Sequence, residues 1–433
     1  MKKKVRIGVM GGYRGASMIN YCRIADNAEL VAVCDKDEDV LSSVRASLGE
    51  EKTAYYDNFD DFINHDMDAV VLANYANEHA PFAVRALNKG LHVFSEVLPC
   101  QTMKEAVELI ETVERTGLVY AYGENYCYMK APYEMKKLYR EGKIGEFEYG
   151  ECEYVHNCEP IWHSITYGER DHWRNHMYST FYCTHSIGPI VHATGLRPVT
   201  VSGFEGFNNE RALRVGRQSG DFGMEIITLN NGGIIKSIHG GLYGHSIWYS
   251  MYGSKGCMET ARDLAKNGAF DRLYVKADEY SGEYADRYEN YLPELKKLKG
   301  TADFGHGGSD FYSMYYFVKK ILGDQTADTI DVYEAMDMFL PGMFAYRSIL
   351  AGGVPVSVPD LRNKQERDKW RNDVACTDPK VAGDMLMPAC KTGTPEIDEG
   401  VYERMRRMWE QELERKDGQN YRSGVFSQLD KKK

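Results

Sequence analysis

The chain has 433 residues, of which 43% are hydrophobic and 27% charged, and its formal net charge is −11. This length fits two domains, and this composition is typical of a globular enzyme rather than of a collagen, a coiled coil or a disordered chain. A net negative surface repels phosphate backbones, so we expect no nucleic-acid partner. No run of about 18 apolar residues occurs, so we expect no membrane span.

The amino terminus and the cysteines indicate the compartment. The first residues, MKKKVRIGVMGG, are basic but lead directly into a glycine turn, without the apolar core and cleavage site of a signal peptide. Ten cysteines are scattered without a C-x-x-C pair. We therefore expect reduced thiols in a cytoplasmic protein.

The first part of the chain alternates between strand and helix. Short apolar runs predict strands at Val5–Met10, Leu30–Cys34, Ala69–Ala73, Leu91–Phe94 and Leu118–Tyr122. Helices are predicted between them, one over 79–88 and one opened by the capping box of Thr102 and Glu105 and ended by Gly117. Strands separated by helices of this length indicate a parallel, doubly wound sheet, here assigned to residues 1–125.

After residue 125 the pattern changes. Strands follow one another with few predicted helices between them, at Glu148–His156, Glu225–Asn230, Gly233–His239, Ser246–Tyr252 and Cys257–Thr260. This pattern predicts an α+β domain over 126–360, with a large, mostly antiparallel open sheet and a long helix over 331–351. Such a sheet often pairs with a second copy of itself, so we expect a homo-oligomer, a dimer or a tetramer. Residues 361–433 form a polar extension, with a charged helix predicted near Val401–Arg415.

The first turn of the parallel sheet carries a dinucleotide-binding pattern. Gly12 and Gly15 have the spacing of the second and third glycines of G-x-G-x-x-G, while Met10 stands at the first position with Gly11 beside it. Asp35 follows the second strand, 20 residues after Gly15, where a carboxylate accepts hydrogen bonds from a ribose and repels a 2′-phosphate. NAD is therefore favoured over NADP, and the alternative is a tight turn without a ligand. The expected cofactor contacts in this region are Met10, Gly11, Gly12, Tyr13, Arg14, Gly15 and Asp35.

The stretch DAVVLANYANEHAPFAVRALNKGLHVFSEV (68–97) resembles the Gfo/Idh/MocA oxidoreductase family, in which a strand, a helix opened by a histidine and a strand ending in Glu-Lys-Pro line the nicotinamide pocket. His79 and Glu96 match, but Val97 follows Glu96 and no lysine is present. This departure resembles glycoside hydrolase family 109, the NAD-dependent α-N-acetylgalactosaminidases. Further segments similar to that branch lie at 123–128, 145–156, 173–174, 182–189, 305–310, 331–335 and 358–360.

The resemblance implies a Rossmann domain that binds NAD and a pocket for a sugar or glycoside. It also implies site residues at the matched positions. The expected catalytic residues are Tyr154, His156, Tyr182 and His185; the expected substrate-binding residues are Glu124, Arg174, His306 and Asp310; and further expected cofactor contacts are Asn74, His79, Glu96 and Asn125.

The residues themselves support acid–base chemistry. A strand over 148–156 places Cys152, Tyr154 and His156 on one face, and Tyr182 and His185 share a face if their segment is helical. Phenols and imidazoles can move the protons that sugar oxidation requires. For each residue alone the alternative is a buried aromatic ring or a core histidine, and for Glu124-Asn125 it is a helix cap.

The cysteine and histidine spacings do not predict a metal. The three candidate groupings, Cys152…His156…Cys158, His172…His176 and His163…His172, lack the paired forms typical of zinc sites. We therefore expect no metal.

Three functions remain open. The resemblance implies glycoside cleavage through transient C3 oxidation by NAD, C2 deprotonation, elimination of the aglycone, water addition and re-reduction. A plain NAD-dependent sugar or glycoside 3-dehydrogenase would stop at the keto product. An NAD-bound sensor would have no turnover.

Overall fold

The computed structural model describes residues 4–49, 52–262, 271–277, 289–295, 298 and 304–414. Two sheets organise these residues. The first sheet has the strand order β3-β2-β1-β4-β5-β6, with every pair parallel, as the strand–helix alternation predicts. Its strands are β1 (Val5–Met10), β2 (Ala28–Cys34), β3 (Ala54–Tyr56), β4 (Ala69–Leu72), β5 (His92–Ser95) and β6 (Tyr120–Tyr122).

The helices of this first unit are α1 (Ala16–Ile24), α2 (Glu38–Leu48), α3 (Phe59–Phe62), α4 (His79–Asn88) and α5 (Met103–Thr116). The capping box predicted for α5 is present: the Glu105 amide donates to Thr102 Oγ1 and the Glu105 carboxylate accepts from the Thr102 amide. Gly117 ends α5 at a φ of +63°, a conformation that glycine adopts without a steric cost. Sequence patterning therefore predicts five of these six strands, with α4 and α5, and misses β3, α2 and α3.

The second sheet has the order β14-β13-β12-β11-β7-β10-β9-β8-β15 and is antiparallel except where β7 and β10 run parallel. This confirms the mostly antiparallel sheet. Its strands are β7 (Phe147–His156), β8 (Pro198–Glu205), β9 (Phe222–Leu229), β10 (Ile234–Gly240), β11 (His245–Gly253), β12 (Gly256–Thr260), β13 (Leu273–Ala277), β14 (Glu289–Tyr291) and β15 (Val356–Ser357).

Helices cover one face of the second sheet and extend beyond it. The remaining helices are α6 (Lys130–Arg140), α7 (Trp162–Thr166), α8 (Trp173–His176), α9 (Thr184–Thr194), α10 (Glu210–Leu213), α11 (Ser309–Ile321), α12 (Val332–Leu350), α13 (Lys364–Trp370), α14 (Pro379–Ala382) and α15 (Glu399–Leu413). α9 and α12 pack on the sheet, whereas α11 returns to the first unit and packs on α1 and β5. Residue Arg415, the last of the helix predicted near 401–415, lies outside the described residues.

The second half contains more helix than the sequence predicts, and the reasons are local. α7, α8 and α10 span four or five residues, which is too short for a helical periodicity to emerge. α9 contains Gly188 and Pro189, both poor helix formers. The unpredicted strand β8 includes Gly203, where a Cβ would overlap the carbonyl of Ala345 in α12, so glycine allows that helix to lie directly on the strand.

Candidate functional site

The loop between β1 and α1 has the geometry of a dinucleotide-binding turn. Gly11 has a φ of +90°, and a Cβ there would overlap the Ala73 carbonyl at the end of β4. Gly11, rather than Met10, therefore takes the tight turn, and Met10 remains the last residue of β1. The Gly15 amide donates to the Gly11 carbonyl at 2.9 Å as α1 begins. The backbone can thus approach a pyrophosphate at the amino terminus of α1.

Asp35 lies at the end of β2, facing this loop. One carboxylate oxygen accepts from the Gly12 amide at 2.8 Å, and the other accepts from the Asp37 amide at 3.0 Å. The carboxylate is therefore fixed beside the glycine turn, as a ribose-binding acid requires.

Three polar atoms at the carboxyl edge of β4 to β6 are buried without a hydrogen-bond partner among the described residues: Asn74 Oδ1, His79 Nε2 and Asn125 Oδ1. Buried polar atoms are almost always paired, so such a group indicates a place for a ligand. The His79 Nδ1 lies 2.8 Å from the Leu98 carbonyl, and burial lowers the pKa of His79 to about 4. The ring is neutral at pH 7, its Nδ1 carries the proton, and its Nε2 can accept. These atoms and the glycine turn fit NAD.

A charged network joins the two halves of the chain around Arg14. The guanidinium lies 2.7 Å from Glu96 Oε1, and two of its nitrogens lie 3.2 Å from the two oxygens of Asp310. Asp310 also accepts from Asn125 Nδ2 at 2.8 Å and lies 3.2 Å from His306 Nδ1. Five expected site residues from four distant segments are thus brought together.

The pKa values of the two carboxylates in this network, Asp310 and Glu96, are shifted in opposite directions. Burial opposes ionisation of Asp310, but the charges of Arg14 and His306 outweigh it and hold the pKa of Asp310 well below its usual range. Burial raises the pKa of Glu96, against the opposing charge of Arg14. Arg14 therefore supplies a cation beside Glu96, although no lysine follows Glu96 in the sequence.

The four expected catalytic residues lie together around the amino terminus of α9. The ring of His185 lies 4.7 Å from that of Tyr154 and 5.6 Å from that of Tyr182, between centroids. The Tyr154 hydroxyl lies 3.1 Å from His156 Nδ1. Burial, with the charges of neighbouring histidines and Arg174, lowers the pKa of His156 to about 4, so this imidazole is neutral at pH 7. Burial raises the pKa of the Tyr154 phenol, which therefore stays protonated.

Glu124 lies behind His185, fully buried. Its Oε1 is 2.8 Å from His185 Nδ1, its Oε2 accepts from Thr184 Oγ1 at 2.9 Å, and it also accepts from the Tyr126 amide at 3.2 Å as a helix cap. Because an ionised carboxylate can only accept, a neutral His185 ring carries its proton on Nδ1 and presents Nε2 as an acceptor. A Cβ at Gly188 would come within 2.9 Å of Glu124 Cγ, which explains glycine at that position of α9.

Arg174 lies on the side of the cluster that Trp173 and Tyr182 form. Its guanidinium lies 4.4 Å from the ring centroid of Trp173 and 5.6 Å from that of Tyr182, and these two rings stack at 6.2 Å. Burial lowers the pKa of Arg174, but the neighbouring Tyr182, Cys158 and Tyr154, none of them a carboxylate, raise it. Arg174 can therefore direct its hydrogen-bond donors to an oxygen of a ligand.

Sequence reasoning did not select Tyr126, Tyr249 or His245. The Tyr126 ring lies 4.5 Å from that of His185 and 5.4 Å from that of Tyr154, in the centre of the cluster. The Tyr249 hydroxyl donates to the His185 carbonyl at 2.6 Å, and the His245 ring lies 5.2 Å from that of His156. Tyr126 directly follows Glu124-Asn125, so its position was a usable signal. Tyr249 and His245 lie on β11 and reach the site only because this strand pairs with β7.

Among the described residues, no group of three or more potential ligands has the geometry to hold a metal ion, and no helix has the length and hydropathy that crossing a bilayer requires.

Comparison with known proteins gives two family matches. The model of the Gfo/Idh/MocA oxidoreductase family, NAD-binding Rossmann fold, matches residues 5–124. The model of the glycosyl hydrolase 109 C-terminal domain matches residues 195–371. Two similar relatives, from Solibacter usitatus and Streptomyces coelicolor, are both named glycosyl hydrolase family 109 protein. They are 28% and 27% identical, over 85% and 88% of this chain and 89% and 88% of their own lengths.

Solved structures share the fold at low identity. Myo-inositol 2-dehydrogenase from Lactobacillus plantarum is 19% identical with a TM-score of 0.63, over 82% of this chain and 100% of its own. An inositol dehydrogenase homologue from Azotobacter vinelandii, crystallised with NAD⁺, is 17% identical with a TM-score of 0.66, over 82% and 97%. The chain therefore carries the NAD-binding Rossmann domain of the Gfo/Idh/MocA oxidoreductases, followed by a glycosyl hydrolase 109 C-terminal domain, and it is an NAD-dependent enzyme.

Proposed function

We propose that the protein is a glycosidase that cleaves its substrate by transient oxidation at C3 of the sugar. The buried Glu124–His185 pair carries the proposal, because its contact through Nδ1 leaves the Nε2 edge of the imidazole among the rings of Tyr126, Tyr154 and Tyr182. An oriented base surrounded by phenols can both remove and return protons.

NAD, which the glycine turn, Asp35, Asn74 and His79 would hold, would supply the acceptor for the C3 hydride and the donor for its return. Because the C3 ketone acidifies the neighbouring C–H bond, a base can remove the C2 proton. The aglycone then leaves C1 with the bonding electron pair and takes up a proton. Water adds across the resulting double bond, with its hydroxyl at C1 and its proton at C2. No hydride is consumed overall, so the cofactor can stay bound.

We assign the base to His185 Nε2, with Glu124 as the residue that orients the ring and stabilises its positive charge once it is protonated. The Tyr154 phenol stays protonated and acts as an acid, and the neutral His156 accepts from its hydroxyl. Arg174 and Tyr182 bind substrate oxygens on the side of the cluster where Trp173 stacks on Tyr182 and the guanidinium lies over both rings.

We further propose that Arg14, Glu96, Asp310, Asn125 and His306 fix the two halves of the chain around the cofactor and the sugar. Asp310 is engaged by Arg14, Asn125 and His306, so we assign it to positioning rather than to direct substrate contact. Asn74 and His79, with their unpaired polar atoms, complete the cofactor site.

A second candidate is an NAD-dependent sugar dehydrogenase that stops at the keto product. The fold similarity to inositol dehydrogenases favours it, since the same cluster can remove a hydroxyl proton as the hydride leaves.

A homo-oligomer is also proposed. On the outer face of the second sheet, Ile234 and Tyr252 lie on either side of Tyr149 and are each about two fifths accessible, and a row of exposed apolar side chains favours an interface. Light scattering during size-exclusion chromatography tests it, and a monomer at micromolar concentration would contradict it.

The purified protein should be tested on α- and β-glycosides of gluco, galacto and N-acetyl sugars without added NAD, with aglycone and NADH both measured. We expect aglycone release without NADH accumulation, loss of activity when the cofactor is stripped, and recovery when NAD is restored. Stoichiometric NADH without aglycone supports the dehydrogenase. Hydrolysis that survives complete removal of NAD refutes both.

A further inference from the structure

The carboxyl-terminal helix α15 lies beyond both family-matched ranges, the second of which ends at residue 371, yet it packs against the wall of the candidate site. That wall is the segment 159–176, which contains α7 and α8 and carries Arg174. Met405 of α15 and Trp162 of the wall meet in a small hydrophobic cluster with Val215, which follows α10.

Polar and steric contacts fix α15 against the wall along its length. His163 Nε2 lies 2.9 Å from Glu412 Oε2, and the same carboxylate accepts from the Ser164 hydroxyl. A Cβ at Gly168 would overlap the backbone of Arg406, so the two segments lie as close as glycine permits. Tyr167, beside it, has a φ of +56°, which a tyrosine rarely adopts and which the surrounding packing must hold.

A continuous series of ring contacts leads from α15 to the centre of the site. Trp409 contacts Tyr167 at 5.3 Å between centroids, and Tyr167 contacts His172 at 5.9 Å. The series continues from His172 to Trp173 at 5.9 Å, from Trp173 to Tyr182 at 6.2 Å and from Tyr182 to His185 at 5.6 Å. His172 also packs on Tyr75 of the first unit at 4.8 Å, so the wall is held from both sides.

We propose that α15 is a positioning element of the substrate pocket, and that Trp409 sets the placement of Arg174 and Tyr182 through the ring series from Tyr167 to Trp173. The inference rests on the proposed function, since it assumes that Arg174 and Tyr182 bind the sugar. Trp409 is 8% exposed and does not reach the substrate, so it acts through Tyr167. A displacement of about 1 Å in positioning groups can cost about a hundredfold in rate, so this packing bears directly on turnover.

The test is a comparison of W409A, W409F and M408A in the full-length protein. Met408 is the neighbouring residue on α15 and is 39% exposed, so M408A is a control for truncation of a large apolar side chain on the outer face of the same helix. We expect W409A to raise the KM for the glycoside about tenfold or more, with the Kd for NADH within twofold of wild type. W409F, which keeps a ring against Tyr167, and M408A should both stay near wild type.

A merely structural helix gives a different result. If W409A lowers the melting temperature but leaves KM and kcat unchanged, the inference is overturned. If W409A does not fold, E412Q replaces it, because this change removes the charge facing His163 and leaves the aromatic contacts. Hydrogen exchange of residues 159–176 should then rise with KM, and an unchanged exchange rate together with an unchanged KM overturns the inference.

A different result shows failure of the proposed function and leaves the inference about α15 testable. A wild-type protein that forms NADH from a glycoside without releasing the aglycone refutes the glycosidase, while the KM comparison for that oxidation still tests α15.

Discussion

The replacement of Glu124 by glutamine tests the chemistry assigned to His185. Glutamine keeps the size of the side chain and can still accept a hydrogen bond from His185 Nδ1 through its amide oxygen. It removes the negative charge that lies 2.8 Å from this nitrogen and is fully buried. The imidazole therefore keeps its position but loses the stabilisation of the positive charge that it gains on accepting a proton.

The expected size of the effect follows from the geometry. With the charge centres about 4 Å apart and an effective dielectric of about 20, the attraction is about 4 kcal/mol. The proton is only partly transferred in the transition state, so we expect a loss of about 3 kcal/mol, or about a hundredfold in kcat. The assay is single-turnover aglycone release by E124Q, with the Kd for NADH measured in parallel to show that the cofactor site is intact.

T184V is the matched control. It removes the 2.9 Å hydrogen bond to Glu124 Oε2 but leaves the Glu124–His185 contact in place. We expect a loss of about tenfold, which corresponds to about 1.5 kcal/mol, the lower end of the usual cost of one hydrogen bond to a charged group, and is smaller than the loss expected for E124Q. A rate for E124Q within threefold of wild type, with the fold intact, would refute the assignment of His185 as a base supported by Glu124.

Three further predictions concern the cofactor side of the site. D310N removes one of the two anions paired with Arg14 and should lower the free energy of unfolding by about 2–3 kcal/mol. The loss is limited because Arg14 keeps its ion pair with Glu96. An unchanged urea midpoint would contradict the charged network. D35S should weaken NADH binding and reduce the preference of the protein for NADH over NADPH, because the carboxylate that binds the ribose and repels a 2′-phosphate is lost. Fluorescence titration gives the two Kd values, and an unchanged ratio between them would exclude Asp35 as the ribose-binding acid. His79, with a pKa of about 4, stays neutral in the folded protein while the unfolded chain protonates it below pH 6.5, so its contribution to stability falls as the pH drops from 6.5 towards 4. The stability difference between wild type and H79Q should therefore shrink by about 1.4 kcal/mol per pH unit in that window, and a difference that is constant between pH 7 and pH 5 would contradict it.

Much of the first unit could be predicted because its signals are local. The spacing of Gly12, Gly15 and Asp35 lies within 24 residues, and the capping box of Thr102 and Glu105 within four. Each is a direct consequence of backbone geometry that any chain with this connectivity must satisfy.

The charged network could not be predicted from spacing. Arg14 and Asp310 are 296 residues apart, and their pairing depends on α11 returning to pack on α1. Sequence reasoning placed them in separate binding roles because no periodicity links such distant positions. The contact of α15 with the wall escaped prediction for the same reason, since it is made by side chains across the fold.

The redox route is tested most directly by cleavage of an accepted glycoside in D₂O, followed by NMR of the released sugar before any exchange at the anomeric centre. Removal of the C2 proton and its later replacement from solvent predict one deuterium at C2 in each product molecule. A product that retains its original C2 hydrogen would contradict oxidation, elimination and water addition as the path of cleavage.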